Sequence, residues 1–457
     1  MQRLVHDLAY GLVNCGGKRT LTGMLSGSGN QFCDWTAAYR MFSKQRFDPQ
    51  DLLDVSLRHG VSLAPDNAPV IAHIDDTLLK KTGRKVHGAK WQRDPLGPAF
   101  HTNFIWAQRF VQASIACPAS SQLCQARSIP VSFVHAPMPV KPGRNADQLQ
   151  KDAYKEAKKK SRISCVGAKL VGSLRQRLNE LGSASRHLLV SFDGGYTNRE
   201  VIQNLPAHTT FIGRVRKDAK IYDPPADQPD TGRRRLYGEP KLTPDQIRTS
   251  DQVSWQKVKA FAAGKEHEFK LKVVENVKWK PAGGHQLLKL IIISPLGYRL
   301  AKGANLLYRK PAFLITNDLK LPLQTLLQAY VWRWEIEVNF REQKTLMGCG
   351  QAQVRNQHSA EGVPKFVTAV YSLLLLAAEH CSRQNDPPVQ MLQRAKWYPE
   401  KENSRWTTGD ICNRFRAEYY SKAIGVSFDG FMNKRYRKQN HLKLLNPALS
   451  AMISIRT

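Results

Sequence analysis

The sequence predicts an α/β protein, a mixed β-sheet flanked by helices, with a mostly β insertion and helical parts at both ends of the chain. Three observations lead there. Apolar runs at 70–74, 104–116 and 129–135 follow one another closely, as in a meander of strands. Helical and strand-like periods then alternate from Asn145 to Val215, the pattern of a sheet whose later strands are covered by helices. Between Lys217 and Lys320 this gives way to Pro-rich turns and short alternating segments such as Glu268–Val273, before a long helical stretch runs from Leu321 to Thr345.

The elements follow in order. Residues 1–65 are amphipathic and helical, with helix starts in the stretches Lys18–Thr22 and Asp34–Arg40. A small DNA-binding module and a plain packing subdomain account for this stretch equally well. The strand Val70–Ile74 closes on Asp75-Asp76-Thr77, and the strand His187–Phe192 closes on Asp193-Gly194-Gly195. Between them lies a lysine-rich helical stretch, Asn145–Leu181; after them come a helix at Thr197–Leu205 and a strand at Phe211–Val215. The expected organisation is a helical N-terminal module (1–65), a first core part (66–217), a β-rich insertion (218–320), a second core part with the long helix (321–385) and a basic C-terminal region (386–457).

Composition narrows the function. The 457 residues allow several domains with an ample core. Lys and Arg number 69 against 37 Asp and Glu, a net charge of +32, while 42% of residues are hydrophobic. The excess charge therefore sits on a folded body, where self-repulsion favours a polyanionic partner, DNA or RNA first. Eight cysteines show neither a C-x-x-C pair nor zinc-site spacing, which fits a reduced, intracellular setting. His6 and Asp7 interrupt the N-terminus where a secretion signal needs apolar residues. The longest apolar run, Phe366–Ala378, falls short of the ~20 residues that cross a bilayer and is expected as a buried helix, so no membrane partner is expected.

Two strand ends deliver carboxylates, Asp76 (or its neighbour Asp75) and Asp193, where open α/β sheets commonly place working residues. Each alone is more commonly a turn or cap residue. The long helix carries Tyr330, Arg333, Glu337 and Lys344, which fall within about 60° of one another at ~100° per residue. One reading is a solvated Arg333–Glu337 salt bridge worth a few tenths of a kcal/mol. The other is that Glu337 joins the two aspartates to hold divalent cations while Arg333, Lys344 and Tyr330 grip phosphate. Three carboxylates suit Mg²⁺, and two such ions activate a water or 3′-hydroxyl and stabilise a leaving oxygen in phosphoryl transfer.

The spacing Tyr-x2-Arg-x3-Glu-x6-Lys resembles the YREK signature of bacterial insertion-sequence transposases, which carry a DDE triad on a ribonuclease H-like fold. Asp193-Gly194-Gly195-Tyr196 resembles the Asp-x-Gly-aromatic motif of that group, and Ile74-Asp75-Asp76-Thr77 its first-aspartate strand. The resemblance implies a ribonuclease H-like core, and Asp76, Asp193 and Glu337 as catalytic, metal-binding residues. It implies Tyr330, Arg333 and Lys344 as contacts to the DNA backbone. Asp76 is chosen over Asp75 because the family's aspartate directly precedes the threonine; a strand's period of two lets only one of the pair point into the site. The cofactor implied is Mg²⁺, two ions, with Mn²⁺ as a substitute. The partners implied are double-stranded DNA, both transposon ends and target, and a second copy of the chain in a synaptic homodimer with a candidate interface after Asp386. The expected location is the bacterial cytoplasm, at the nucleoid.

Other residues carry two readings each. Trp334 and Trp332 flank Arg333 and offer stacking surfaces for an unstacked base, though tryptophans near a helix centre more commonly pack in the core. Lys80, Lys81, Arg84 and Lys85 read as phosphate ligands or as a solvated turn, and Lys158–Lys160 as a solvated run. His73 and His135 are expected in the core. The leading function is a transposase that cleaves transposon ends and joins the 3′-hydroxyl to target DNA, with a hairpin intermediate as one route. The alternatives are a metal-dependent, structure-selective DNA nuclease and a non-catalytic basic DNA-binding protein.

Overall fold

A computed structural model describes residues 1–65, 67–98, 100–120, 123–226, 233–299, 303–384 and 405–423. Four helices open the chain: α1 (Gln2–Asn14), α2 (Leu21–Gly27), α3 (Thr36–Ser43) and α4 (Gln50–Ser62). The Thr20 hydroxyl caps α2 by accepting from the Gly23 N–H at 3.4 Å. Apolar stripes, among them Leu8 and Leu12 of α1 and Leu53 and Leu57 of α4, turn inward and are fully buried. Helices α3 and α4 thereby lie against the core.

The sheet begins with β1 (Val70–Lys80), β2 (Lys90–Arg93), β3 (Phe104–Pro118) and β4 (Ala126–His135). Strand β1 pairs antiparallel with β3, and β3 in turn with β4 and β2, which gives the expected meander. Helices α5 (Gln148–Lys160) and α6 (Ile163–Glu180) lead to β5 (Leu188–Phe192), a short α7 (Arg199–Ile202) and β6 (Thr209–Arg214). Strand β5 lies parallel to β1 on one side and to β6 on the other. The central order β4-β3-β1-β5-β6, antiparallel then parallel, is a ribonuclease H-like core.

The next segment contains β7 (Ile221–Tyr222), α8 (Pro244–Thr249), β8 (Gln256–Ala262), β9 (Lys265–Trp279), β10 (Leu288–Ile293), β11 (Gly297–Tyr298), β12 (Leu307–Tyr308) and β13 (Ala312–Thr316). It is rich in strands, as the sequence predicts, but it does not stand apart. Strand β13 pairs antiparallel with β6, and β10 and β9 follow, so the insertion prolongs the core sheet to eleven strands.

The helical stretch after β13 is broken in two, α9 (Leu323–Trp332) and α10 (Trp334–Thr345), with Arg333 between them. Arg333 accepts from the Ile336 N–H and donates to the Tyr330 carbonyl, both three residues away, as at a tightened helix end. The continuous helix expected from Leu321 to Thr345 is corrected accordingly. Helix α11 (Gln357–Gln384) holds the run Phe366–Ala378, with Phe366 and Leu375 fully buried against the rest of the fold. Its length and composition would suffice to cross a membrane, yet 72% of its most apolar window is buried inside the protein, as in a core helix. Helix α12 (Thr408–Ala423) packs on α1 and α11. The basic cluster Lys434–Lys438 and most of the expected dimerisation region lie outside the described residues. All eight cysteines are free thiols.

Candidate active site

The alternation of β1 decides which side chains meet. Val70, Ala72 and Ile74 enter one apolar cluster and Ile71 enters the other, so ahead of the aspartates the strand's two faces look into different cores. His73 and Asp75 follow Ile71; Asp76 follows Ile74. Strand β1 also runs on to Lys80, so the aspartates lie within the strand and not at its end. They stand where β5 stops: Ile74 pairs with Phe192, the last residue of β5, and the next step sets Asp75 beside Asp193.

On the Asp75 face, the Arg333 guanidinium links two carboxylates. One nitrogen lies 3.4 Å from Asp75 Oδ2 and another 3.3 Å from Glu337 Oε1. Burial pushes the Asp75 carboxyl up to about 7 against the pull of Arg333, and the charges of Asp76 and Asp193 push it the same way. Burial raises Glu337 as well, opposed by Arg333 and reinforced by Asp193. Tyr330 is raised by burial and feels Arg333, Arg214, Asp193 and Glu337, which locates its phenol among the same groups.

Asp76 faces the other way. It accepts a hydrogen bond from the Tyr196 hydroxyl at 3.2 Å and is steadied by the Arg109 cation, while burial, the largest influence, raises its pKa. Tyr196 is buried and packs over Gly167 of α6. Asp193 raises the pKa of Asp75 and also that of Asp76. The strand's period of two turns Asp76 away from the Arg333 and Glu337 side, and Asp75 takes that direction instead.

The loop after β5 is tied down by its own backbone. The Asp193 carbonyl accepts from the N–H groups of Tyr196 and Thr197 and from the Thr197 hydroxyl. Gly213 of β6 allows this close approach, since a Cβ there would come within 2.2 Å of Thr197 Oγ1. By the same parallel register, Arg214 follows Gly213 as Asp193 follows Phe192, which sets an exposed guanidinium beside Asp193. Arg214 was not found from sequence; its place at the end of a strand next to the second aspartate was the available signal.

A buried polar network fixes α10 on the sheet. Gln343 donates to the Gln112 carbonyl oxygen at 2.8 Å, and Gln112 donates to Ser114 and Asn339. Asn339 also donates to the Ser128 carbonyl and to Tyr371, whose hydroxyl donates to Glu342 at 2.7 Å. Every link lies within two turns of Glu337, so the network holds its helix in register. None of these residues was singled out from sequence, although Gln112 and Ser114 on one face of an apolar strand were a visible sign.

The other expected residues divide. Trp332 donates its indole N–H to the Cys124 carbonyl and packs on the core, whereas Trp334 is 59% exposed. Lys344 is not gathered with the carboxylates: it lies roughly 10 Å along α10 from Glu337 and senses Lys80 and Asp94 instead. Lys81 is buried and donates to the Gly350 and Ala352 carbonyls, Lys80 pairs with Asp94, and Arg84 stacks between Trp91 and Trp106. Three of the four cations after the first aspartate therefore have structural partners. His73 is fully buried, with its pKa pushed down to about 3 by burial and by Arg333, and His135 is buried beside Phe110.

A family model for DDE superfamily endonucleases matches residues 1–284, well over half the chain. The chain belongs to this family. The match spans the β1 aspartates and Asp193 and ends before the helix of Glu337. No curated protein matches the chain. Membership of a DDE endonuclease family agrees with metal-dependent phosphodiester chemistry. Among the described residues, though, no three His, Cys, Asp or Glu side chains form a ready-made metal cage. The donor set still suits a hard cation: it is all oxygen, and burial, with the added charge of Asp193, raises both Asp75 and Glu337. Mg²⁺ in particular is usually held by one or two carboxylates together with waters and substrate phosphates, not by a closed protein cage.

Proposed function

We propose that this DDE-family endonuclease is a DNA transposase of the YREK kind, which cleaves transposon ends and joins the freed 3′-hydroxyl to target DNA. The observation that carries the reading is the Asp75–Arg333–Glu337 link beside Asp193, three acids and a cation from distant parts of the chain on one face of a ribonuclease H-like sheet. We take Asp75, with Asp193 and Glu337, as the carboxylates that would hold Mg²⁺. Bound there, the metal would activate the attacking water or 3′-hydroxyl and stabilise the leaving oxygen.

The chain's own residues do the rest. Arg333 and the exposed Arg214 hold phosphate at the acidic cluster, in the bidentate manner that favours arginine. Tyr330 donates its hydroxyl within the same group. Trp334 offers a free ring for a displaced base at the cleaved end. Lys344 meets the backbone further along the duplex. Asp76, bonded to Tyr196, positions the strand from behind. Two ends must be handled together, so the acting form is a dimer, at the nucleoid in the cytoplasm.

The test is cleavage of a duplex bearing the element's ends with Mg²⁺, using Asp193→Asn. Loss of cleavage with DNA binding retained supports the reading; retained cleavage refutes it. Pre-cleaved ends then separate transposase from nuclease, since joined products form only if the chain transfers strands.

A further inference from the structure

On the sheet face away from Glu337, an open pocket of about 530 Å³ lies between the end of α5, the start of α6 and the loop after β4. Its lining includes five cations, Lys90, Arg109, Lys141, Lys158 and Arg162, together with Tyr154, and no carboxylate. Arg109 shares the face of Asp76, on the side of the sheet that α6 covers. Two of the cations are held in place: Lys90 donates to the Pro139 carbonyl at 2.5 Å, and Arg109 donates to the Ser161 carbonyl at 3.2 Å. Arg109 Nε is buried with no hydrogen-bond partner. Among the described residues, no ion pair neutralises Lys141, Lys158 or Arg162.

Asp76 offsets part of the Arg109 charge, but Lys90, Lys141, Lys158 and Arg162 still repel one another around one concavity, which an anion in the pocket would relieve. The backbone adds to the same field. Helix α6 begins at the rim with Ile163 and Ser164 in the lining, no side chain caps it, and its first turn holds no acidic residue. Its first N–H groups and the positive end of its dipole therefore have no protein partner. The size of the basic region says what kind of anion fits. Across the α5–α6 junction a second concavity carries Lys159, Lys160 and Lys169, with Glu156 and Glu200 among them. Even with Lys160 paired to Glu156, these cations outnumber what one phosphate group takes and match consecutive phosphates of a strand.

We propose that this pocket is a second DNA-backbone site, gripping phosphodiesters on the side of the sheet opposite the carboxylates. The proposal rests on the reading of the chain as a DNA-acting enzyme and adds a separate contact to it. A duplex engaged at both faces wraps the edge of the sheet, so the catalytic face need not supply all of the affinity.

The experiment is the salt dependence of duplex binding by the full chain and by the triple variant Lys141→Ala, Lys158→Ala, Arg162→Ala. Each lost phosphate contact removes about 0.9 from the slope of log K against log salt, so the variant's slope is expected to be shallower by roughly 2 to 3. Circular dichroism confirms folding, and Lys141→Glu alone, on an exposed loop, gives a second reading of the same sign. Lys257→Ala with Lys259→Ala, on the far β8 strand, is the control and leaves the slope nearly unchanged. Wild-type binding with an unaltered slope in the triple variant, or an equal loss in the control, overturns the pocket and leaves the DNA reading intact. A wild-type chain that binds no DNA overturns both.

Discussion

Replacing Asp75 by Asn separates the electrostatic cost of the site from its chemistry. Its carboxyl rises from an ordinary value near 3.8 to about 7, chiefly through burial. Between those values the folded chain holds a proton that the unfolded chain has released. The folded state then binds more protons than the unfolded state, so stability falls as pH rises through this window. At pH 8 the ionised group costs up to roughly 4 kcal/mol, at 1.36 kcal/mol for each step on the pH scale. Its side chain is one-fifth exposed, and water relaxation brings the expected cost nearer to about 1–3 kcal/mol. Asparagine keeps the shape and stays neutral. Without metal, Asp75→Asn is therefore expected to match the wild type at pH 4 and to exceed it at pH 8, as read by denaturant unfolding in EDTA. Mg²⁺ should reverse the order, since a ligand at 100 times its Kd adds about 2.7 kcal/mol to the form that binds it. Cleavage should vanish in the variant. A variant less stable than wild type at pH 8 in EDTA, or one that still cuts DNA, refutes the assignment of Asp75.

Three further outcomes follow from the same geometry. Asp76→Asn should retain cleavage within about tenfold, because the amide oxygen still accepts from Tyr196; loss as complete as that of Asp193→Asn would return the first-carboxylate role to Asp76. Lys81→Met should lower stability by about 2–4 kcal/mol by orphaning two buried carbonyls, while the salt slope of DNA binding stays put; a stable variant with a shallower slope would make Lys81 a phosphate ligand. Trp334→Ala should weaken end processing with no change in melting temperature, whereas Trp332→Ala should cost stability; the reverse pattern would remove Trp334 from the site.

What the sequence made legible is what local patterning controls. The runs at 70–74, 104–116 and 187–192 read as strands because apolar residues run through them, and the spacing of Tyr330, Arg333 and Glu337 put them near one another because it is local. What escaped depends on contacts across long separations. The break at Arg333 has no proline or glycine to announce it; it accompanies a tie to Asp75, 258 positions away. The joining of β13 to β6 spans about a hundred residues, and no local pattern specifies it. The period of β1 guaranteed that Asp75 and Asp76 oppose each other, but which face holds Glu337 is decided only by where α10 docks, through Gln112 and Asn339. The Asp-Thr adjacency that favoured Asp76 is a likeness in sequence, and it says nothing of that docking.

The charge balance of the site sets what it can bind. A solvated i,i+4 pair between Arg333 and Glu337 would be worth a few tenths of a kcal/mol and would not raise the Glu337 carboxyl. Here the guanidinium is 12% exposed and shared with a strand carboxylate at 3.4 Å. At an effective dielectric of about 20, each contact is worth roughly 5 kcal/mol before desolvation. Yet Asp75 still rises to about 7, so desolvation and the neighbouring acids outweigh Arg333. One largely buried cation does not neutralise Asp75, Asp193 and Glu337 together, and Arg214 stands only at the solvent edge. In a chain of net charge +32, this face is short of positive charge in the very place where a DNA phosphate would have to approach. Phosphate and carboxylates repel unless something positive bridges them. An all-oxygen donor set beside Arg333 is what a hard divalent cation needs to serve as that bridge.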